Sequence, residues 1–222
     1  MINRDHYLDR IVRKMWNGEI KVITGIRRCG KSVLLMELFY EYLLDNGVNE
    51  DQIIKIELDQ RRYYKFRNPI VLCEYVEELV TADKDKKMYL FIDEVQMTSK
   101  VVDKENGGIE VTIYDMLNEL KAYKNLDVYV TGSNSKGLSN DIATEFRGRA
   151  SQIHVYPLSF KEFCSAVSVD ESKALDMYML FGGLPRIATL DDEKDKKEYL
   201  SSLYRELYIK DIVERNGIER ED

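Results

Sequence analysis

The chain has 222 residues, of which 44% are hydrophobic and 33% charged, and its formal net charge is −7. That length buries a large core in one or two domains, and the composition excludes a disordered or membrane-embedded chain. The acidic balance argues against nucleic-acid binding by the whole surface, though not against a local basic patch.

No apolar run reaches the length of a membrane span, and Arg4, Asp5 and Arg10 exclude a signal-peptide core. The three cysteines, Cys29, Cys73 and Cys164, show no paired spacing, so neither a disulfide framework nor a zinc ribbon is expected. A reducing cytoplasm is the expected location.

In chain order, residues 4–16 predict an amphipathic helix with Tyr7, Leu8, Ile11, Val12, Met15 and Trp16 on one face, stopped by Asn17-Gly18. Residues 20–24 are β-branched and predict a strand. Residues 25–32, Gly-Ile-Arg-Arg-Cys-Gly-Lys-Ser, then fit G-x-x-x-x-G-K-[ST], the phosphate-binding loop. Residues 32–46 carry apolar side chains at helical spacing. Strand, glycine loop and helix are the context the motif requires. Glycines let several backbone N–H groups face one anion, and the helix adds the positive end of its dipole. Gly25, Arg27, Arg28, Cys29, Gly30, Lys31, Ser32 and Val33 are the candidate nucleotide contacts. Lys31 is expected to reach the β- and γ-phosphates, and the Ser32 hydroxyl to hold Mg²⁺. Cys29, at a helix N-terminus beside Lys31 and Arg28, is expected to favour the thiolate and to be protected from alkylation by ATP.

Residues 53–58 predict a second strand. Residues 61–67, Arg-Arg-Tyr-Tyr-Lys-Phe-Arg, have the composition of a nucleic-acid contact, but read first as a solvated, partly packed loop. Asn68 caps and Pro69 opens a helix to about residue 82. Residues 88–92 are apolar throughout, which suits a central parallel strand buried on both faces. That strand ends in Asp93-Glu94, the Walker B pattern. Asp93 is assigned to Mg²⁺, largely through water, and Glu94 to activating the attacking water.

Residues 98–108 predict an irregular loop, about 110–124 a helix, and 128–131 a fourth strand. That strand delivers Asn134, a candidate sensor of the attacking water or γ-phosphate, with Ser133 and Thr131 as substitutes; the same residues also make a plain turn. Arg147 and Arg149, around Gly148, are candidates for stabilising transition-state charge, in their own site or a neighbouring subunit's. Residues 151–156 predict a fifth strand. Alternating strands and helices predict an α/β domain with a parallel sheet covered on both faces.

After Pro157 the pattern is helical. Ser159 and Glu162 form a capping box, and helices are predicted over about 171–181 and 192–215. Between them Gly182-Gly183-Leu184-Pro185-Arg186 is a helix stop and rigid turn in which Pro185 is a candidate contact for adenine and Arg186 for phosphate. The expected organisation is an α/β core over 1–157, and a small helical lid with the start of a C-terminal segment over 158–222.

Assembled, these residues resemble an AAA-type P-loop ATPase. The match is to a prokaryotic group with a Gly-x-Arg-Arg-x-Gly-Lys-[Ser/Thr] loop, a Walker B Asp-Glu, a Tyr-Pro-Leu-Ser-Phe-x-Glu-Phe segment (here residues 156–163) and a Gly-Gly-x-Pro segment (here 182–185). The resemblance implies a P-loop NTPase fold with a five-stranded sheet in the order 5-1-4-3-2 and a helical lid. It also implies ATP rather than GTP, with Mg²⁺ as cofactor; no Asn-Lys-x-Asp guanine-reading motif is found. Members of the group continue into a further C-terminal domain, so this chain is expected to be truncated before it. The expected activity is Mg-dependent ATP hydrolysis coupled to a conformational or remodelling task. A slow nucleotide-dependent switch or scaffold, DNA-associated, is the alternative. The expected partners are a second copy of the chain in the nucleotide-bound state, and DNA or protein through the missing part. No membrane is expected.

Overall fold

A computed structural model of the chain describes residues 2–104, 107–132 and 150–205. Five parallel strands, β1 (Ile20–Thr24), β2 (Ile53–Glu57), β3 (Met88–Asp93), β6 (Leu126–Gly132) and β7 (Ala150–His154), form one sheet in the order β2-β3-β6-β1-β7. Burial follows position in the sheet. β1, β3 and β6 are buried along their whole length, whereas the edge strands β2 and β7 alternate. A strand covered on both faces has no solvent side, so its sequence need not alternate.

Each face of the sheet carries its own core. On one face Val22, Ile56, Leu90 and Val130 pack against helix α3 (Pro69–Ala82) and helix α4 (Ile113–Leu120). On the other, Ile23, Phe91, Tyr129 and Ile153 pack against helix α1 (Asp5–Val12) and the helix α2 (residues 31–45). Phe39 of α2 anchors this second face, with its ring centroid 4.9 Å from that of Tyr129 and 5.4 Å from that of Phe91. The middle of α2, Leu34–Phe39, is wound as π-helix.

Lys21 is fully buried in β1 and pairs with Asp127 of β6. The same carboxylate accepts the Trp16 N–H at 2.9 Å and the Tyr129 hydroxyl at 2.6 Å. This network ends α1 earlier than periodicity predicts. To reach Asp127 the backbone turns into a positive φ of 56° at Trp16, so the helix closes at Val12 and residues beyond it wind in single turns.

Two further differences from the sequence reading have local causes. The stretch read as an irregular loop contains an antiparallel hairpin, β4 (Val101–Asp103) with β5 (Ile109–Val111). Glu110 and Val111 are spent in that hairpin, so α4 starts at Ile113, where Thr112 and Asp115 form a capping box. Residues Arg61–Arg67 are not a loop but a run of 3₁₀-helix anchored by buried Phe66.

Residues Arg4–Tyr156 make up one compact unit. The second unit holds Ile2, Asn3 and the chain from Pro157. Its core is Leu158, Phe163, Phe181, Leu184, Ile187 and Leu203. It is built from helices α5 (Phe160–Ala166), α6 (Glu171–Phe181), α7 (Pro185–Ala188) and α8 (Glu193–Leu203). Among the described residues no helix is long and apolar enough to cross a membrane.

Candidate functional site

The phosphate-binding motif leaves the sheet at Thr24 and enters α2 at Lys31. Gly25 has φ of 149°, and a Cβ there would overlap the Val155 carbonyl oxygen and press on Cys29 Sγ at 2.9 Å. Only glycine fits between the loop and the segment after β7. Gly30 takes a left-handed φ of 97° as the residue before the helix, and its carbonyl accepts the first helical bond from Leu34 N at 3.0 Å. Arg28 also sits at positive φ, 64°. The loop is thus wound tightly at three positions that ordinary residues avoid.

The Ile26 carbonyl accepts both the Cys29 N–H at 3.4 Å and the Lys31 ammonium at 3.0 Å. Lys31 is buried, so its charge is held inside the loop rather than in solvent. Arg27, Arg28 and Val33 lie on the exposed side.

Arg4 was not legible as part of this site. Its guanidinium donates through Nη1 to the Cys29 carbonyl at 3.1 Å and through Nη2 to the Tyr156 carbonyl at 2.7 Å. It also lies over the Tyr7 ring, 4.6 Å from the centroid. The loop therefore rests on the residue before α1 and on the chain after β7. A cation before a helix carries no sequence signal of that role, because both partners are backbone carbonyls far along the chain.

Cys29 corrects the thiolate expectation. It is fully buried, and its Sγ–H donates to the Val155 carbonyl at 3.4 Å. Burial pushes its thiol up despite the opposing charges of Lys31 and Arg4. The residue packs under the loop as a small hydrophobe.

β3 delivers Asp93 to the same end of the sheet. Asp93 is buried, and burial raises its carboxyl above the usual range, while hydrogen bonds from the Thr131 and Ser32 hydroxyls pull it back down. Ser32 belongs to the phosphate loop and Thr131 to β6, so three elements meet at one carboxylate. The donors are all oxygen, the set that suits Mg²⁺, which keeps water and phosphate oxygens among its ligands. Among the described residues no group of three or more His, Cys, Asp or Glu is placed to hold a metal.

Glu94 has φ of 55°, a left-handed conformation costly for a residue with a side chain. Its N–H donates to the Thr131 hydroxyl at 3.1 Å, and its carboxylate accepts from the Gln96 amide. Gln96 is a second residue that sequence reasoning missed. Its signal is only its place two residues beyond the Walker B acid. Asn134, Arg147 and Arg149 lie outside the described residues.

In the helical unit, Gly183 sits where a Cβ would strike the Leu158 carbonyl, and Leu158 N–H donates back to the Gly183 carbonyl at 2.7 Å. Tyr178 also donates to the Leu158 carbonyl at 2.9 Å. The two segments around Leu158 and Gly183 thus interlock. Pro185 opens α7, and the Arg186 guanidinium donates to Thr189 Oγ1 at 3.4 Å.

A parallel sheet, a glycine loop between its β1 and α2, and an Asp-Glu pair at the end of β3 define a P-loop nucleotide-binding domain. The chain belongs to a family of AAA domains (AAA_14), whose model matches residues 17–164. It is 33% identical over 99% of its length to an uncharacterized protein of Haemophilus influenzae, covering 52% of that protein. It is 30% identical over 98% of its length to the uncharacterized protein MJ1544 of Methanocaldococcus jannaschii, covering 46% of it. The chain thus spans about half the length of the curated relatives it matches. Among solved structures it resembles the Aeropyrum pernix ORC2 protein in its ADPNP-ADP complexes, with TM-score 0.51, 10% identity, 83% of this chain and 59% of that one. It also resembles S. cerevisiae Hsp104 in its casein complex, with TM-score 0.50, 15% identity, 83% of this chain and 34% of that one. At such identities the likeness concerns the fold.

Proposed function

We propose that the chain binds Mg·ATP and hydrolyses it to ADP and phosphate. The observation that carries this reading is the joining of Ser32, Asp93 and Thr131 at the mouth of the phosphate loop, with Glu94 next in the chain. Bound Mg·ATP would supply a γ-phosphoryl group activated for transfer to water. Lys31 neutralises β/γ-phosphate charge, and Ser32 and Asp93 offer the cation oxygen ligands. Glu94 accepts the proton of the attacking water. Asn134 orients that water, and Arg147 and Arg149 meet the developing charge in their own site or a second copy's. For these three, as for Pro185 and Arg186 at the nucleotide and for a lid role of the helical unit, the support is the family resemblance alone.

One observation favours a slow nucleotide-dependent switch instead. The Gln96 amide holds the Glu94 carboxylate, which ties that side chain to its own loop rather than to an attacking water.

Nucleotide binding by calorimetry and steady-state phosphate release together test the proposal. Lys31→Ala should weaken ATP binding. Glu94→Gln should keep binding and lower turnover about 10²-fold or more. Unchanged affinity in the first variant, or unchanged turnover in the second, would refute the assigned roles.

A further inference from the structure

We propose that the 3₁₀ segment Arg61–Arg67 is a binding platform for single-stranded nucleic acid. The chain as a whole is acidic, at −7, yet these seven residues carry Arg61, Arg62, Lys65 and Arg67 and no acid. The segment is held from beneath by Phe66, which is buried with its ring centroid 4.8 Å from that of Tyr75. Arg61, Arg62, Tyr64 and Lys65 are exposed on the outer side.

Tyr64 is the centre of the platform. Half of it, 51%, is exposed, although a free tyrosine ring would gain by packing. Its ring is braced by Arg67, whose guanidinium lies 4.1 Å from the ring centroid. Arg67 is itself fixed by donating to the Leu58 carbonyl at 2.9 Å and touching Met97 Sδ at 3.9 Å. An aromatic face held still before binding loses little conformational freedom when a base stacks on it. Arg62 adds a guanidinium over the Tyr63 ring at 4.7 Å. Its ion pair with Glu57, at 3.1 Å, is exposed and therefore weak enough to yield to a phosphate.

An exposed ring face at Tyr64 flanked by cations matches an unpaired strand, which offers both base faces and phosphates. A duplex hides its base faces, and an acidic peptide offers charge without rings. The platform lies at the same end of the sheet as the nucleotide site, since Glu57 of β2 pairs in register with Asp93 of β3. It also touches the chain after Glu94, where Ser99 N–H donates to the Arg67 carbonyl at 2.8 Å.

The test is fluorescence anisotropy of the full chain with a labelled oligo-dT strand, without nucleotide, across a salt series. Binding should weaken as salt rises. Tyr64→Ala should weaken it about ten-fold, the loss of one base stack. Arg61→Glu with Lys65→Glu should weaken it further and lower the salt slope by about 0.7 for each phosphate that no longer meets a cation. Both variants should bind ATP as the wild type does, which separates this result from failure of the nucleotide site and from misfolding. Four results would each overturn the proposal: no binding by the wild type, equal binding by Tyr64→Ala, displacement of the strand by a polyglutamate peptide at equal charge, or equal preference for duplex.

Discussion

The Thr131 hydroxyl donates to Asp93 Oδ1 and, at the same oxygen, accepts the N–H of Glu94 at 3.1 Å. One small side chain from β6 therefore sets both acids at the end of β3. It lowers the cost of burying the first, and it satisfies the backbone of the second in its left-handed turn.

Thr131→Val keeps the volume and removes that oxygen. An orphaned buried donor or acceptor costs about 1–3 kcal/mol, so the urea midpoint should fall accordingly, while Thr131→Ser stays near the wild type. Unfolding curves of the two variants at equal slope are the measurement.

Gly25→Ala should be far worse than Gly18→Ala. Both glycines have positive φ, 149° and 76°, but a Cβ at Gly18 meets nothing within 4 Å, whereas at Gly25 it meets the Val155 carbonyl. The Gly18 change should cost about 1–2 kcal/mol of backbone strain and leave ATP affinity alone. The Gly25 change should move the loop and weaken ATP binding at least ten-fold by calorimetry.

Gln96→Ala should raise turnover several-fold, because the Gln96 amide ties the Glu94 carboxylate to one position. A fall, read from phosphate release, would make Gln96 a support for the water rather than a restraint on the acid.

The thiols should divide by burial. A short pulse of N-ethylmaleimide at neutral pH followed by mass mapping should label partly exposed Cys164 first, with Cys29 and Cys73 labelled only on unfolding. Burial, helped by Glu77, Glu119 and Glu74, pushes the Cys73 thiol up to about 12 from 9.0. Between these values the folded chain keeps a proton that the unfolded chain has lost, so stability falls as pH rises through that window. Replacing Cys73 with Val should flatten the alkaline limb of a stability–pH curve.

The parts of the site that were legible are those written in local spacing. The glycines of the phosphate loop mark backbone conformations that few other residues adopt, and the apolar run before Asp93 marks a strand covered on both faces. What the sequence hid are contacts made across the sheet. Neighbouring cations suggested a thiolate at Cys29, but its burial against Val155, which outweighs them, is set by a strand far along the chain. Arg4 was hidden for the same reason. The hairpin over 101–111 was unreadable because three-residue strands of mixed polarity carry too few positions to show a period.

The phosphate loop has a mould, and the mould is made last. Thr24 carbonyl accepts Val155 N–H at 2.8 Å, and Cys29 meets the Val155 carbonyl across 126 residues of chain. During synthesis the motif leaves the ribosome long before β7 does. Until β7 docks at the edge of the sheet, the nascent chain carries every letter of a nucleotide site without its shape. The shape of the loop, as distinct from its sequence, is thus completed only when β7 takes its place at the edge of the sheet.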